Sequence, residues 1–117
     1  MRLPGAEACV VERAKVIDYL LSVTHPTGRH KGAFFRGYGF SPDAWEAFAD
    51  ALRQQGAQGE VVAVEKGPFG TKYVVDGGLS TPAAGLVPVR TVWFAGAPAG
   101  GPRLVTAYPV PDRGERR

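Results

Sequence analysis

"SPDAWEAFADALRQQGAQGEVVAVEK", Ser41–Lys66, holds the change of period that decides the fold. Ser41 is suited to accept a hydrogen bond as an N-cap, Pro42 fits a first helical position where no amide is needed, and Asp43 sits in the positive first turn. Trp45, Phe48, Ala49 and Leu52 then recur at three- and four-residue spacing, which predicts an amphipathic helix stopped by Gly56. After Gly59 the pattern turns to strand: "EVVAVEK" (60–66) is short and rich in β-branched residues.

Downstream, "TKYVVD" (71–76), "VPVRTVWFA" (87–95) and "RLVTAYPV" (103–110) continue the strand pattern. They are divided by turn residues in "GPFG" (67–70), "GGLSTPAAG" (77–85) and "GAPAGGP" (96–102). Such short connections favour an antiparallel meander. Upstream, "ERAKVIDYLLSV" (12–23) places Val16, Ile17, Leu20 and Leu21 on one helical face. Pro26 and Gly28 break that helix and leave His25 in a loop. A shorter helix is expected from about Gly28 to Tyr38, with Phe34, Phe35 and Tyr38 as its apolar side and Gly39 at its end. The expected fold class is α+β: about three N-terminal helices packed on a four-stranded antiparallel β-sheet. Residues 1–110 form a single domain on this reading, and 111–117 a solvated C-terminal tail.

With 117 residues, 44% hydrophobic and 21% charged, the chain has ordinary globular composition and enough length to bury a core. The one cysteine, Cys9, rules out an internal disulfide and a cysteine-rich metal site, and reads as a small buried apolar residue. No apolar run approaches the roughly 20 residues that span a bilayer. The first residues lack a signal layout, so a cytoplasmic protein with no membrane association is expected.

The net charge of +3 says little, but its distribution says more. Between Asp18 and Asp43 there are Arg29, Lys31 and Arg36 and no acid; between Asp76 and Asp112 there are Arg90 and Arg103 and again no acid. If these segments meet in the fold, one face would carry a positive field suited to an anionic partner. Arg29 and Lys31 begin a helix, where free backbone amides favour phosphate. Strand alternation sets Arg90 and Val92 against Thr91 and Trp93, and Lys72 and Val74 against Tyr73 and Val75. It sets Arg103, Val105 and Ala107 against Leu104, Thr106 and Tyr108. One face open to solvent would then carry Thr91, Trp93, Thr106 and Tyr108; the alternative is that Trp93 and Tyr108 pack against the helices. The two histidines are not spaced as a helical ligand pair, so neither a metal nor a cofactor is expected. "GPFGTK" reads as a hairpin turn rather than a phosphate loop, since it lies between strands.

"KVIDYLLSVTHPTGRHKGAFFRGYGF", "GTKYVVDGGLSTP", "VRTVWF" and "PRLVTAYP" resemble a small bacterial domain family of standalone proteins, over about Ala8 to Pro109. That family is similar in turn to toxins of the barnase–EndoU–colicin–RelE group, in which N-terminal helices precede a four-stranded sheet bearing a metal-independent ribonuclease site. The resemblance implies an endoribonuclease-like toxin of a toxin–antitoxin or conflict locus, with RNA as substrate and a cognate antitoxin or immunity protein as partner. By position it would carry the loop histidine and basic residues to His25, Arg29 and Lys31, and the polar late-strand residues to Arg90, Thr91 and Thr106. His25 would serve as base or acid, Lys31, Arg29 and Arg90 would hold phosphate, and Thr91, Thr106 or Tyr108 would position it. Lys72 and Trp93 complete the expected substrate face. The competing expectation is a noncatalytic interaction module that offers the acidic helix around Asp43, Glu46 and Asp50 to a basic partner.

Overall fold

Ser41 caps the decisive helix as its sequence predicts: its hydroxyl accepts from the Asp43 amide at 3.2 Å. A 3₁₀ turn over Pro42–Ala44 leads into α3 (Trp45–Gln58). The computed structural model describes residues 1–22, 29–96 and 101–110, the side chains of 29–31 excepted. Before α3 come α1 (Arg13–Lys15), which runs into a π-helical turn over Val16–Leu20, and α2 (Arg29–Gly37). The π turn is closed by the Leu21 amide donating to the Val16 carbonyl at 2.8 Å, and it turns Val16, Leu20 and Leu21 into the core. Gly39 ends the α2 segment at φ 100°, a left-handed conformation that glycine adopts without strain.

Four strands follow: β1 (Glu60–Gly67), β2 (Gly70–Thr81), β3 (Gly85–Gly96) and β4 (Arg103–Pro109). They form one antiparallel sheet in sequence order, the expected meander. "GPFG" is the hairpin between β1 and β2, with Gly67 opposite Gly70. "GGLSTPAAG" is mostly not a turn, because β2 runs on to Thr81 and pairs with β3 as far as Gly85. Residues 111–117, the expected tail, lie outside the described residues.

α3 lies across β2 and β3, and its stripe of Phe48, Ala49 and Leu52 is buried as expected. Phe48 meets Phe35 and Phe40 at ring-centroid distances of 4.8 and 4.5 Å. The helix does not stop at Gly56 but continues through it. A Cβ there would stand 2.6 Å from Cζ2 of the fully buried Trp93, so this glycine lets the helix approach the indole. Beside it, Gln55 is buried and donates from Nε2 to the carbonyls of Val75 (3.1 Å) and Val89 (2.7 Å). Its Oε1 accepts from Thr91 Oγ1 at 2.6 Å, and Thr91 Oγ1 accepts from Trp93 Nε1 at 2.7 Å.

The N-terminal residues strap both ends of this layer. Arg2 donates to the carbonyls of Ala57 and Gln58, satisfying the end of α3. Val10 forms a parallel bridge with Arg103, so the chain before α1 lies along β4. Cys9 between them is half-buried rather than enclosed, and packs against the core. Burial pushes its thiol up from the ordinary range, which keeps the reactive thiolate scarce near neutral pH. Iodoacetamide should therefore alkylate Cys9 several-fold more slowly in native protein than in urea-unfolded protein at about pH 8. Equal rates would contradict this placement.

Candidate functional site

Cross-strand partners share a face of the sheet, so the register fixes which side chains lie together. The covered face carries Val75, Leu79, Val89, Thr91, Trp93, Leu104 and Ala107, all buried. The opposite face is a grid of three rows crossing the strands. One row runs Glu65, Lys72, Phe94, Arg103; the next Ala63, Val74, Val92, Thr106; the last Glu60, Asp76, Arg90, Tyr108. Val92 is 7% exposed, so the middle row is a shallow apolar floor rather than a cleft.

Thr91 and Trp93 do not belong to this face. Both are fully buried beneath α3 and bound into the Gln55 network, so packing against the helices, the alternative reading for Trp93, is what holds. Unbroken alternation along β4 from Leu104 would place Thr106 and Tyr108 with them. The register of β4 shifts by one at Val105, so Leu104 pairs with Trp93 while Thr106 pairs with Val92 and Tyr108 with Arg90. The bulge turns Leu104 and Ala107 inward and Thr106 and Tyr108 outward.

Arg90 grips Asp76 with two hydrogen bonds, Nε to Oδ1 at 2.6 Å and Nη2 to Oδ2 at 2.8 Å. The two side chains are 18% and 19% exposed. Asp76, with the Tyr108 hydroxyl beside it, raises the proton affinity of the guanidinium still further above its ordinary value. Lys72 Nζ lies 2.8 Å from Glu65 Oε1; that hydrogen bond and charge raise the lysine and lower the carboxyl. Arg103 approaches Glu12 at 3.8 Å, and the Thr106 hydroxyl lies 3.5 Å from the Tyr19 hydroxyl. Arg90 and Arg103 of the acid-free stretch, and Lys72 beside them, thus each meet a carboxylate, from β2, the segment before α1 and β1 respectively. On this face the charge is a mosaic of ion pairs; the side chains of Arg29 and Lys31, from the other acid-free segment, lie outside the described residues.

One hollow borders the grid and another lies on the α1 and π-turn segment. The first, of about 280 Å³, is lined by Glu65, Lys66, Gly67, Gly70, Lys72 and Phe94. The other, of about 430 Å³, is lined by Glu12, Ala14, Lys15, Asp18 and Tyr19, with Lys15 Nζ 5.4 Å from the Tyr19 ring centroid. Among the described residues no cluster of three or more His, Cys, Asp or Glu side chains could hold a metal ion. Among the described residues no helix is long and apolar enough to cross a membrane.

Of the expected site residues, Lys72, Arg90, Thr106 and Tyr108 therefore share one face, and Thr91 and Trp93 lie behind it. Arg29 and Lys31 open α2 by their backbone, and their side chains lie outside the described residues. His25 lies outside them entirely. Sequence reasoning left Asp76 and Phe94 out of the expected site. Both were within reach of the same alternation, since Asp76 follows Lys72 and Val74, and Phe94 follows Arg90 and Val92, at every second position.

The family described as Domain of unknown function (DUF6883) matches residues 2–111. No curated protein and no solved structure matches the chain.

Proposed function

The chain belongs to the DUF6883 family, and we propose that it acts on RNA through the open face of its sheet, as a metal-independent endoribonuclease-like toxin of a bacterial toxin–antitoxin or conflict system. The observation that carries this reading is the convergence of Lys72, Arg90, Thr106 and Tyr108 on one face of the sheet. Cleavage by attack of the 2′-hydroxyl needs a base, an acid for the leaving oxygen, and cations at the crowded phosphate. In this reading His25 supplies the proton transfer, Arg90 and Lys72 meet the phosphate, and Arg29 and Lys31 extend the contact from α2. Tyr108 and Thr106 supply hydroxyls beside Arg90.

The test is induced expression of the wild type, His25→Ala and Arg90→Ala in bacteria. Growth arrest with RNA fragmentation in the wild type, relieved in both variants, is the expected result. Harmless growth of the wild type would overturn the toxin reading.

A second reading, a noncatalytic interaction module such as an antitoxin, draws on a different observation: Lys72, Arg90 and Arg103 on the open face are already ion-paired. A face neutralised in this way suits recognition of a protein as well as of a polyanion. The exposed acids Asp43, Glu46 and Asp50 of the α3 segment would meet the basic partner.

A further inference from the structure

Phe94 is the aromatic residue on the central strands that the open face leaves accessible, at 36% exposure. Its ring lies over two glycines: a Cβ on Gly70 would stand 2.6 Å from Phe94 Cζ, and one on Gly96 would stand 2.7 Å from Cε2. One side of the ring is thus supported by backbone, and the ring borders the hollow of about 280 Å³. Lys72 stands at the rim of the same hollow; Lys66 also lines it, but its pairing with Thr71 sets it on the other face of the sheet. The Lys72–Glu65 pair beside it is exposed, and such pairs contribute little and exchange partners readily. A supported ring with a cation at its edge on an open sheet face is an arrangement that accepts an unpaired base together with its phosphate.

We propose that this hollow is a nucleobase-stacking site for single-stranded RNA, with Phe94 as the platform and Lys72 meeting the adjoining phosphate. The inference rests on the RNA reading above and sharpens it to an unpaired substrate. A base within a duplex is stacked on both sides and cannot lie on a sheet; an extended strand can. Phe94 lies four residues along β3 from Arg90, roughly 13 Å at the rise of a strand, so a strand held on Phe94 would pass Arg90 and Tyr108 on the same face.

The test uses the full chain and a fluorescein-labelled, 2′-O-methylated RNA strand of mixed sequence, which removes the attacking hydroxyl. It is titrated alone and annealed to its complement, at one fixed salt concentration. The single strand should bind more tightly than the duplex. Phe94→Leu, which keeps an apolar cover over Gly70 and Gly96, should weaken single-strand binding roughly ten- to a hundred-fold, and Phe94→Trp should retain it. Circular dichroism of each variant checks that the sheet is intact. Single-strand binding unchanged in Phe94→Leu, or duplex bound as tightly as single strand, would overturn the stacking site and leave RNA binding standing. No binding of either form by the wild type would overturn the RNA reading, and the stacking site with it.

Discussion

Gln55→Met should destabilise the fold by about 3 kcal/mol, a loss out of proportion to a substitution that keeps the length and volume of the side chain. Methionine removes two donors and one acceptor at once. The carbonyls of Val75 and Val89 lose the Nε2 contact, and the Thr91 hydroxyl loses the oxygen to which it donates. Each group is sealed under α3, where an unsatisfied polar atom costs about 1 kcal/mol or more. Thr91→Val breaks the chain from the other side, orphaning Gln55 Oε1 and Trp93 Nε1. The two changes delete one shared hydrogen bond, so the double variant should cost about 1 kcal/mol less than the sum of the singles. Urea unfolding of all four proteins measures this. A Gln55→Met variant within about 0.5 kcal/mol of wild type would mean that the buried network contributes little.

This network also marks how far the sequence was legible. The capped start at Ser41, the stripe of Phe48, Ala49 and Leu52, and the four strands in meander order follow from local signals: a hydroxyl, a proline, a period of 3.6 and then of 2. Gly56 and Gln55 broke the local rules for the same reason. A glycine ends a helix in solvent, but here it admits the indole of Trp93. A glutamine is ordinarily solvated, but here it spans β2 and β3. Neither partner lies nearby in sequence. The glycines at 77 and 78 misled similarly: they read as a turn, yet Gly77 stays in the strand, where a Cβ would stand 3.0 Å from the Cα of Gly59. The site was half legible. Alternation separated Arg90 from Thr91 and Trp93 correctly, but the open face was assigned to Thr91 and Trp93, which are buried; one extra residue at Val105 also reversed the parity of β4, and no residue type announces a bulge. The ion pairs were illegible because Asp76 and Arg90 stand fourteen positions apart and meet only through the β2–β3 register.

Breaking that pair should separate stability from recognition. Arg90→Gln leaves the Asp76 carboxylate, 19% exposed, without its two donors, and should cost about 2 kcal/mol; Asp76→Asn, which retains one acceptor, should cost about 1. The proton affinity of Arg90 is raised in the folded protein, so the contribution of the pair is present below the ordinary arginine value. It is lost only as pH climbs through the still higher folded value. The stability difference between wild type and Arg90→Gln should therefore stay flat from about pH 8 to 10, and a decline across that window would contradict the bidentate pairing. Binding moves the other way for one of the two variants. In Arg90→Gln the face loses a cation and RNA affinity should fall; in Asp76→Asn the guanidinium is released from its carboxylate, and affinity should rise several-fold, with a steeper dependence on salt. A merely structural ion pair would weaken binding in both variants alike. Opposite signs, in proteins destabilised in the same direction, would identify Arg90 as a phosphate contact held in reserve by Asp76. A fall in both would assign the pair to the scaffold and leave Lys72 and Phe94 as the anchors of the face.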